Sequence, residues 1–132
     1  MPTIRKIIIP ILLISGFIIA ANQTYAQVPE EILLSLKNGN SKVLSDYFNQ
    51  NIELVVLDKD NVYSKAQAKQ IVSNFFNTYI PEDFNILHQS GKEGAKAVIG
   101  NLKTNNGSFR VYFLLKKNSG KDYIHQLRIE KK

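Results

Sequence analysis

The chain contains no cysteine and only two histidines in 132 residues. The first absence excludes disulfides, thiolate-bound zinc, a cysteine nucleophile and lipid attachment through an N-terminal cysteine. The second leaves little material for histidine chemistry. A glycine-rich phosphate loop is also missing: Gly91 and Gly94 flank charged residues and do not lead into a helix. No internal repeat or low-complexity tract is present, and no Ser-His-Asp set is readable, because such a set is recognised by geometry and not by order. Stability must therefore come from packing, and no metal or other cofactor is expected.

What is there begins with a three-part N-terminus. Arg5 and Lys6 form a short basic region, and Ile7 to Ala21 is an apolar run of 15 residues interrupted only by Pro10, Ser15 and Gly16. Thr24-Tyr25-Ala26 then places small residues at the −3 and −1 positions of a cleavage site. This is the pattern of a secretory signal peptide. The run is shorter than the roughly 20 apolar residues of a spanning helix, although an uncleaved anchor stays open as the alternative. The expected partition is a signal peptide over residues 1–26 and a single domain over 27–132. The protein is then periplasmic or secreted, with no membrane anchor after cleavage. A domain of 106 residues can bury about 65% of its unfolded surface in one core.

Loss of Arg5 and Lys6 lowers the formal net charge from +6 to +4. The remainder is polarised: residues 27–89 carry 5 basic and 8 acidic side chains, residues 90–132 carry 10 basic and 3 acidic. Such a basic half can face phosphates, lipopolysaccharide or an acidic partner. The plainer reading is a row of lysines on the solvent side and edges of a sheet, where they also discourage aggregation.

The periodicity changes once along the chain. Pro29, Glu30 and Glu31 suit a first helical turn, Ile32, Leu33 and Leu36 make its apolar stripe, and Asn38-Gly39 ends it. Asn40 or Ser41 caps a second short helix with Val43, Leu44, Tyr47 and Phe48 on one face. Ile52 to Leu57 reads as a strand and Asp58 to Asn61 as a turn; this turn lacks the glycine and distal glutamate of a calcium loop. Ser64 and Gln67 make a capping box for a longer helix in which Ala68, Ile71, Val72, Phe75, Phe76 and Tyr79 recur with helical spacing, up to Pro81. From Asp83 onward the period is two. Phe84–His88, Ala95–Lys103, Ser108–Lys117 and Tyr123–Lys131 read as four strands of an antiparallel meander, with Asn106-Gly107 a strong hairpin signal. Phe109, Val111, Phe113 and Leu115 share one face of the third. Helices grouped against one antiparallel sheet make an α+β domain.

Gly39-Asn40 and Leu44, Tyr63-Ser64-Lys65 with Gln67-Ala68, Phe75-Phe76, His88, Ile99-Gly100-Asn101-Leu102, Arg110-Val111 and Gln126-Leu127-Arg128-Ile129 carry a resemblance over residues 28–131. The chain resembles a family of short, exported, uncharacterised bacterial proteins within the nuclear transport factor 2 superfamily (NTF2-like, also called cystatin-like). The resemblance implies a cone-shaped fold with three N-terminal helices on a curved antiparallel sheet. It implies no activity, because that superfamily includes isomerases, dehydratases, hydrolases and pure binding domains.

Superfamily enzymes place acid–base groups in a pocket between sheet and long helix. The candidates here for catalysis are His88, Asp83 and His125, and those for lining or binding are Tyr47, Phe75, Phe76, Tyr79, His88, Tyr112 and Tyr123. His88 and His125 lie 37 residues apart with no local ligand spacing, so no metal site is read from them. The aromatic stripe that includes Phe75 and Phe76 is better explained by core packing than by a cofactor box. Arg110, Arg128 and Tyr112 could form a basic aromatic face, yet an exported protein rarely meets nucleic acid and none is expected as partner; these arginines could equally pair with Glu130, Glu53 or Asp122. The leading reading is a binding or interaction module, holding a small apolar or anionic ligand or forming a homodimer through the sheet. The alternative is a small hydrolase or isomerase using His88 or Asp83.

Overall fold

Residues 27–132 are described by a computed structural model; the signal peptide expected over residues 1–26 lies outside the described residues. Helix α1 (Glu30–Asn38) carries Glu30 and Glu31 in its first turn and Lys37 in its last, each favourable to the helix dipole. It ends on Gly39, whose φ of 68° is the left-handed conformation of a helix C-cap. In α2 (Ser41–Asp46) the Asn40 side chain caps the helix, accepting a 3.1 Å bond from the Val43 N–H. Tyr47 and Phe48, expected on this helix, leave it. The helix stops at Asp46, and Phe48 opens strand β1 (Phe48–Val56). The cause is the last strand, whose Ile124 N–H donates to the Tyr47 carbonyl at 2.7 Å.

A second correction follows directly. Only Leu57 and Asp58 turn, and Lys59–Asn61, expected as part of that turn, belong to a strand β2 (Lys59–Ser64) that pairs antiparallel with β1. Leu57 takes a φ of 55° to close this hairpin. Helix α3 (Lys65–Thr78) starts at the expected capping box: Gln67 N–H donates to Ser64 Oγ, and Ser64 N–H donates to Gln67 Oε1. Then come β3 (Pro81–Lys92), β4 (Ala95–Thr104), β5 (Gly107–Asn118) and β6 (Lys121–Lys131).

The six strands form one sheet in the order β2-β1-β6-β5-β4-β3. The β3–β6 meander is antiparallel as expected. The β1–β6 pair is parallel, so the sheet is mixed and not purely antiparallel. One face carries the three helices. Ile32 and Leu36 of α1, Leu44 of α2, and Ala68, Val72, Phe75 and Phe76 of α3 are buried in one core with Ile52, Leu54, Phe109, Val111, Phe113, Ile124, Leu127 and Ile129 from the strands. Complete burial of each such aliphatic side chain contributes about 1.5–3 kcal/mol. Among the described residues no helix is long and apolar enough to cross a membrane.

The two ends of the helix-covered face differ. At one, Phe75, Tyr79 and Phe109 form a tight aromatic cluster, with Phe75 stacked on Tyr79 at 5.0 Å and both meeting Phe109 edge-on at 5.0 and 4.8 Å. The other end lies six residues further along β5, roughly 20 Å away at the rise of a strand. It is less completely filled.

Candidate functional site

At that second end, cross-strand register sets Gly91, Lys96, Leu115 and Ile124 side by side across β3, β4, β5 and β6. Along β4 the buried positions are Lys96, Val98, Gly100, Leu102 and Thr104. Lys96 therefore points to the same face as the core, by the two-residue alternation of a strand. It is only 9% exposed. Its Nζ is buried without a hydrogen-bond partner, and it takes part in neither of the two ion pairs among the described residues. That is an unusual state for an ammonium group, since buried charges are ordinarily paired.

Above Lys96 opens a cleft of about 580 Å³, within the range of small-molecule sites. Gln27 closes one side, the β3–β4 hairpin from Gln89 to Ala95 another, and Leu115, Lys117 and Asp122 of β5 and β6 the rest. Gly91 shapes it. With φ at 107°, a Cβ there would run into the Ala95 carbonyl oxygen and lie 3.0 Å from Lys96 Cα. Lys117 reaches Glu93 across the mouth at 4.0 Å, a loose and solvent-exposed pair worth little in itself.

The residues named from sequence are dispersed. Phe75 and Phe76 are 4% and 5% exposed and belong to the core; Tyr79 is half-buried in the aromatic cluster. None of the three lines the cleft. Tyr47 is half-buried beside α1, where its hydroxyl donates to Glu31 Oε2 at 2.8 Å. Its pKa is pushed up to about 12, first by burial and then by the bond to Glu31 and that carboxylate's charge. Asp83 accepts from the Phe84 N–H at 2.9 Å and from Asn85 Nδ2 at 3.3 Å, an anchoring role at the start of β3. His88 is exposed on the bare face of the sheet, in register with Ile99. His125 is half-buried, with Nε2 enclosed and unpartnered; burial, then the charge of Lys116, lowers its pKa below the ordinary 6.5. Tyr123 is half-buried and in register with Lys116.

The structure does not bring the three acid–base candidates together. His88 and His125 sit on β3 and β6 with two strands between them, about 14 Å across the sheet at ordinary strand spacing, and His125 lies a further three residues along β6 from Arg128, the residue in the row of His88. Asp83 is five residues along β3 from His88, about 16 Å. Among the described residues no three His, Asp or Glu side chains gather as a metal site.

Tyr112 and the arginines occupy the bare face. His88, Ile99, Tyr112, Arg128 and Val55 form one row across it, and Asn101, Arg110 and Glu130 the next. Arg128 Nε donates to Glu130 Oε1 at 2.9 Å, which holds the guanidinium pKa above its usual range. Glu53 takes Gln126 instead of an arginine, accepting from its Nε2 at 2.6 Å.

A family description, the Domain of unknown function DUF4783, matches residues 29–130 of the chain. The chain belongs to the DUF4783 family. A crystal structure of a DUF4783 protein from Bacteroides uniformis is 35% identical, with a TM-score of 0.75, and the match covers 80% of this chain and 98% of that one. A DUF4783 chain of about the extent described here therefore folds on its own. A designed NTF2 protein matches at 16% identity and a TM-score of 0.62, over 76% of this chain and 90% of its own. A de novo designed protein with a curved β-sheet matches at 13% and 0.60, over 76% and 93%. These two establish the NTF2-like fold expected from the sequence, and the fold alone. No curated protein matches the chain.

Within this DUF4783 domain, Lys96 is the residue that sequence reasoning missed. A lysine in an alternating strand reads as a solvent-face residue. The signal that could have found it is its parity: Lys96 lies two and six residues from Val98 and Leu102, the apolar positions of β4.

Proposed function

We propose that this DUF4783 domain is an exported, non-catalytic binding module, and that its ligand site is the cleft between Gln27, the β3–β4 hairpin and the ends of β5 and β6. The observation that carries this reading is the cleft itself. It is lined by Lys96, whose enclosed Nζ nothing in the domain satisfies, and it holds none of the acid–base candidates. The hydrolase or isomerase reading has no comparable support, since its groups stand far apart, Asp83 and His88 at different points of β3 and His125 on β6.

The test is a fragment screen by NMR on the 15N-labelled domain, residues 27–132. Small molecules are expected to shift the amide resonances of residues 89–96, Leu115 and Lys117 in preference to the rest. A folded domain whose cleft resonances no fragment moves overturns the reading. Export has its own test. Protein recovered from the periplasmic or secreted fraction is expected to begin at Gln27, and recovery of a chain beginning at Met1 counts against it.

The bare sheet face is the competing surface, as a seat for a second copy. Its apolar side chains Val55, Ile99, Tyr112 and Leu114 are interleaved with Glu53, Arg110, Gln126, Arg128 and Glu130, several already bonded to one another. Ala97 and Ile99 of β4 and Leu114 and Tyr112 of β5 form one half-buried apolar block on that face; the cleft is preferred because it is lined by a lysine that nothing satisfies. A dimer by sedimentation that Tyr112→Glu dissociates would move the function to the sheet.

A further inference from the structure

We infer that the cleft takes a small organic monoanion, with its carboxylate seated on Lys96 Nζ. The inference rests on the reading of the cleft as a binding site and adds the chemistry of the ligand. Lys96 Nζ carries three hydrogen-bond donors and a full charge, and it is enclosed without any acceptor from the domain. An ammonium held out of water in this way is complete only when an anion or another strong acceptor occupies the space above it. Lys96 lines the cleft beside Gly91, which has no side chain, and a turn of the flexible lysine stem brings the enclosed Nζ to the open space.

The lining selects among anions. It contains no arginine, so the planar fork that grips carboxylate or phosphate bidentately is missing, and a lysine offers a compact point charge instead. Lys92, Lys96 and Lys117 are set against Glu93 and Asp122. The lining therefore has a net charge of one positive unit, which balances one negative charge and leaves the second charge of a phosphate dianion uncompensated. Leu115 and Ala95 provide an apolar wall for a short hydrocarbon body, while Gln27, Gln89 and Ser90 provide neutral polar groups near the mouth. A carboxylate on a body of about six carbons matches these features together.

The experiment titrates sodium hexanoate, 1-hexanol, hexylammonium chloride and inorganic phosphate separately into the 15N-labelled domain, and repeats the series with Lys96→Met. Hexanoate is expected to shift the resonances of residues 89–96 and Leu115, at least tenfold more tightly than hexanol or phosphate and with no counterpart for hexylammonium. Lys96→Met is expected to weaken hexanoate at least tenfold. Without any probe, the variant should melt at the same or a higher temperature than the parent, because methionine keeps the bulk and removes the unpaired charge.

Equal binding of hexanol and hexanoate in the cleft overturns the anion assignment and leaves the binding site standing. So does undiminished hexanoate binding by Lys96→Met. A variant that melts well below the parent also overturns it, because Lys96 then serves the fold. If none of the probes reaches the cleft, the monoanion is excluded, and the wider fragment screen alone decides whether the cleft binds anything.

Discussion

A methyl group on Gly100 would collide with the Phe84 ring and lie 2.8 Å from the Asn85 carbonyl oxygen. The glycine is required by close approach and not by backbone conformation, since β3 lays Phe84 across β4 at this point. Gly100→Ala should therefore destabilise the domain by about 1–3 kcal/mol, the usual consequence of overpacking. A denaturant midpoint unchanged from the parent would show that Phe84 swings aside freely. His125 makes a different prediction. Its folded pKa lies below its ordinary value, so the unfolded chain takes up the proton first and stability falls as pH drops through about 6.5. Melting temperatures between pH 8 and 5 should decline less steeply for His125→Gln than for the parent; parallel curves would locate the acid sensitivity elsewhere. Neither environment was legible in the sequence. Gly100 falls inside a segment that reads simply as a strand, and the enclosure of His125 goes with the irregular register between β5 and β6, where Leu114 and Leu115 pair with Gln126 and Ile124.

Among the elements, α3 was the most legible. Its capping box, apolar spacing and stop all lie within a single stretch of sequence, and the box is present in the fold as read. Ser64→Ala should lower stability by about 1 kcal/mol, measured by chemical denaturation, and a change within error would mean that tertiary packing alone holds the first turn. The meander strands were legible for a similar reason, since each has one face in the core and therefore alternates. β2 was not. It is an edge strand in which only Tyr63 is half-buried, so burial imposes no alternation, and Lys59, Asp60 and Asn61 have the composition of a turn. The end of α2 was misjudged for the opposite reason. Its local pattern continues through Phe48, but a distant strand captures that backbone.

On the scale of the whole molecule, the fold class was legible and the closing pair was not. Nothing local announces that β1 lies parallel to β6, because the contact joins positions such as Glu53 and Gln126 that are 73 residues apart. The cleft escaped notice on the same account: its walls come from Gln27, the β3–β4 hairpin and the ends of β5 and β6, which only the completed sheet brings together. β6 is bonded on both sides, to β1 and β5. A chain ending at Gly120 should therefore lose the cooperative unfolding transition entirely, as followed by circular dichroism, and a sharp residual melt would refute a central role for the last strand.

That placement also sets an order in time. A ribosome delivers the chain from its N-terminus, so β1 and its helices emerge long before the strand that must lie between β1 and β5. Until the final eleven residues of β6 arrive, the earlier segments have no complete sheet to join and the barrier of closing a long loop stands in full. The wiring thus delays completion of the native sheet until the last strand is present, whatever the earlier hairpins form among themselves.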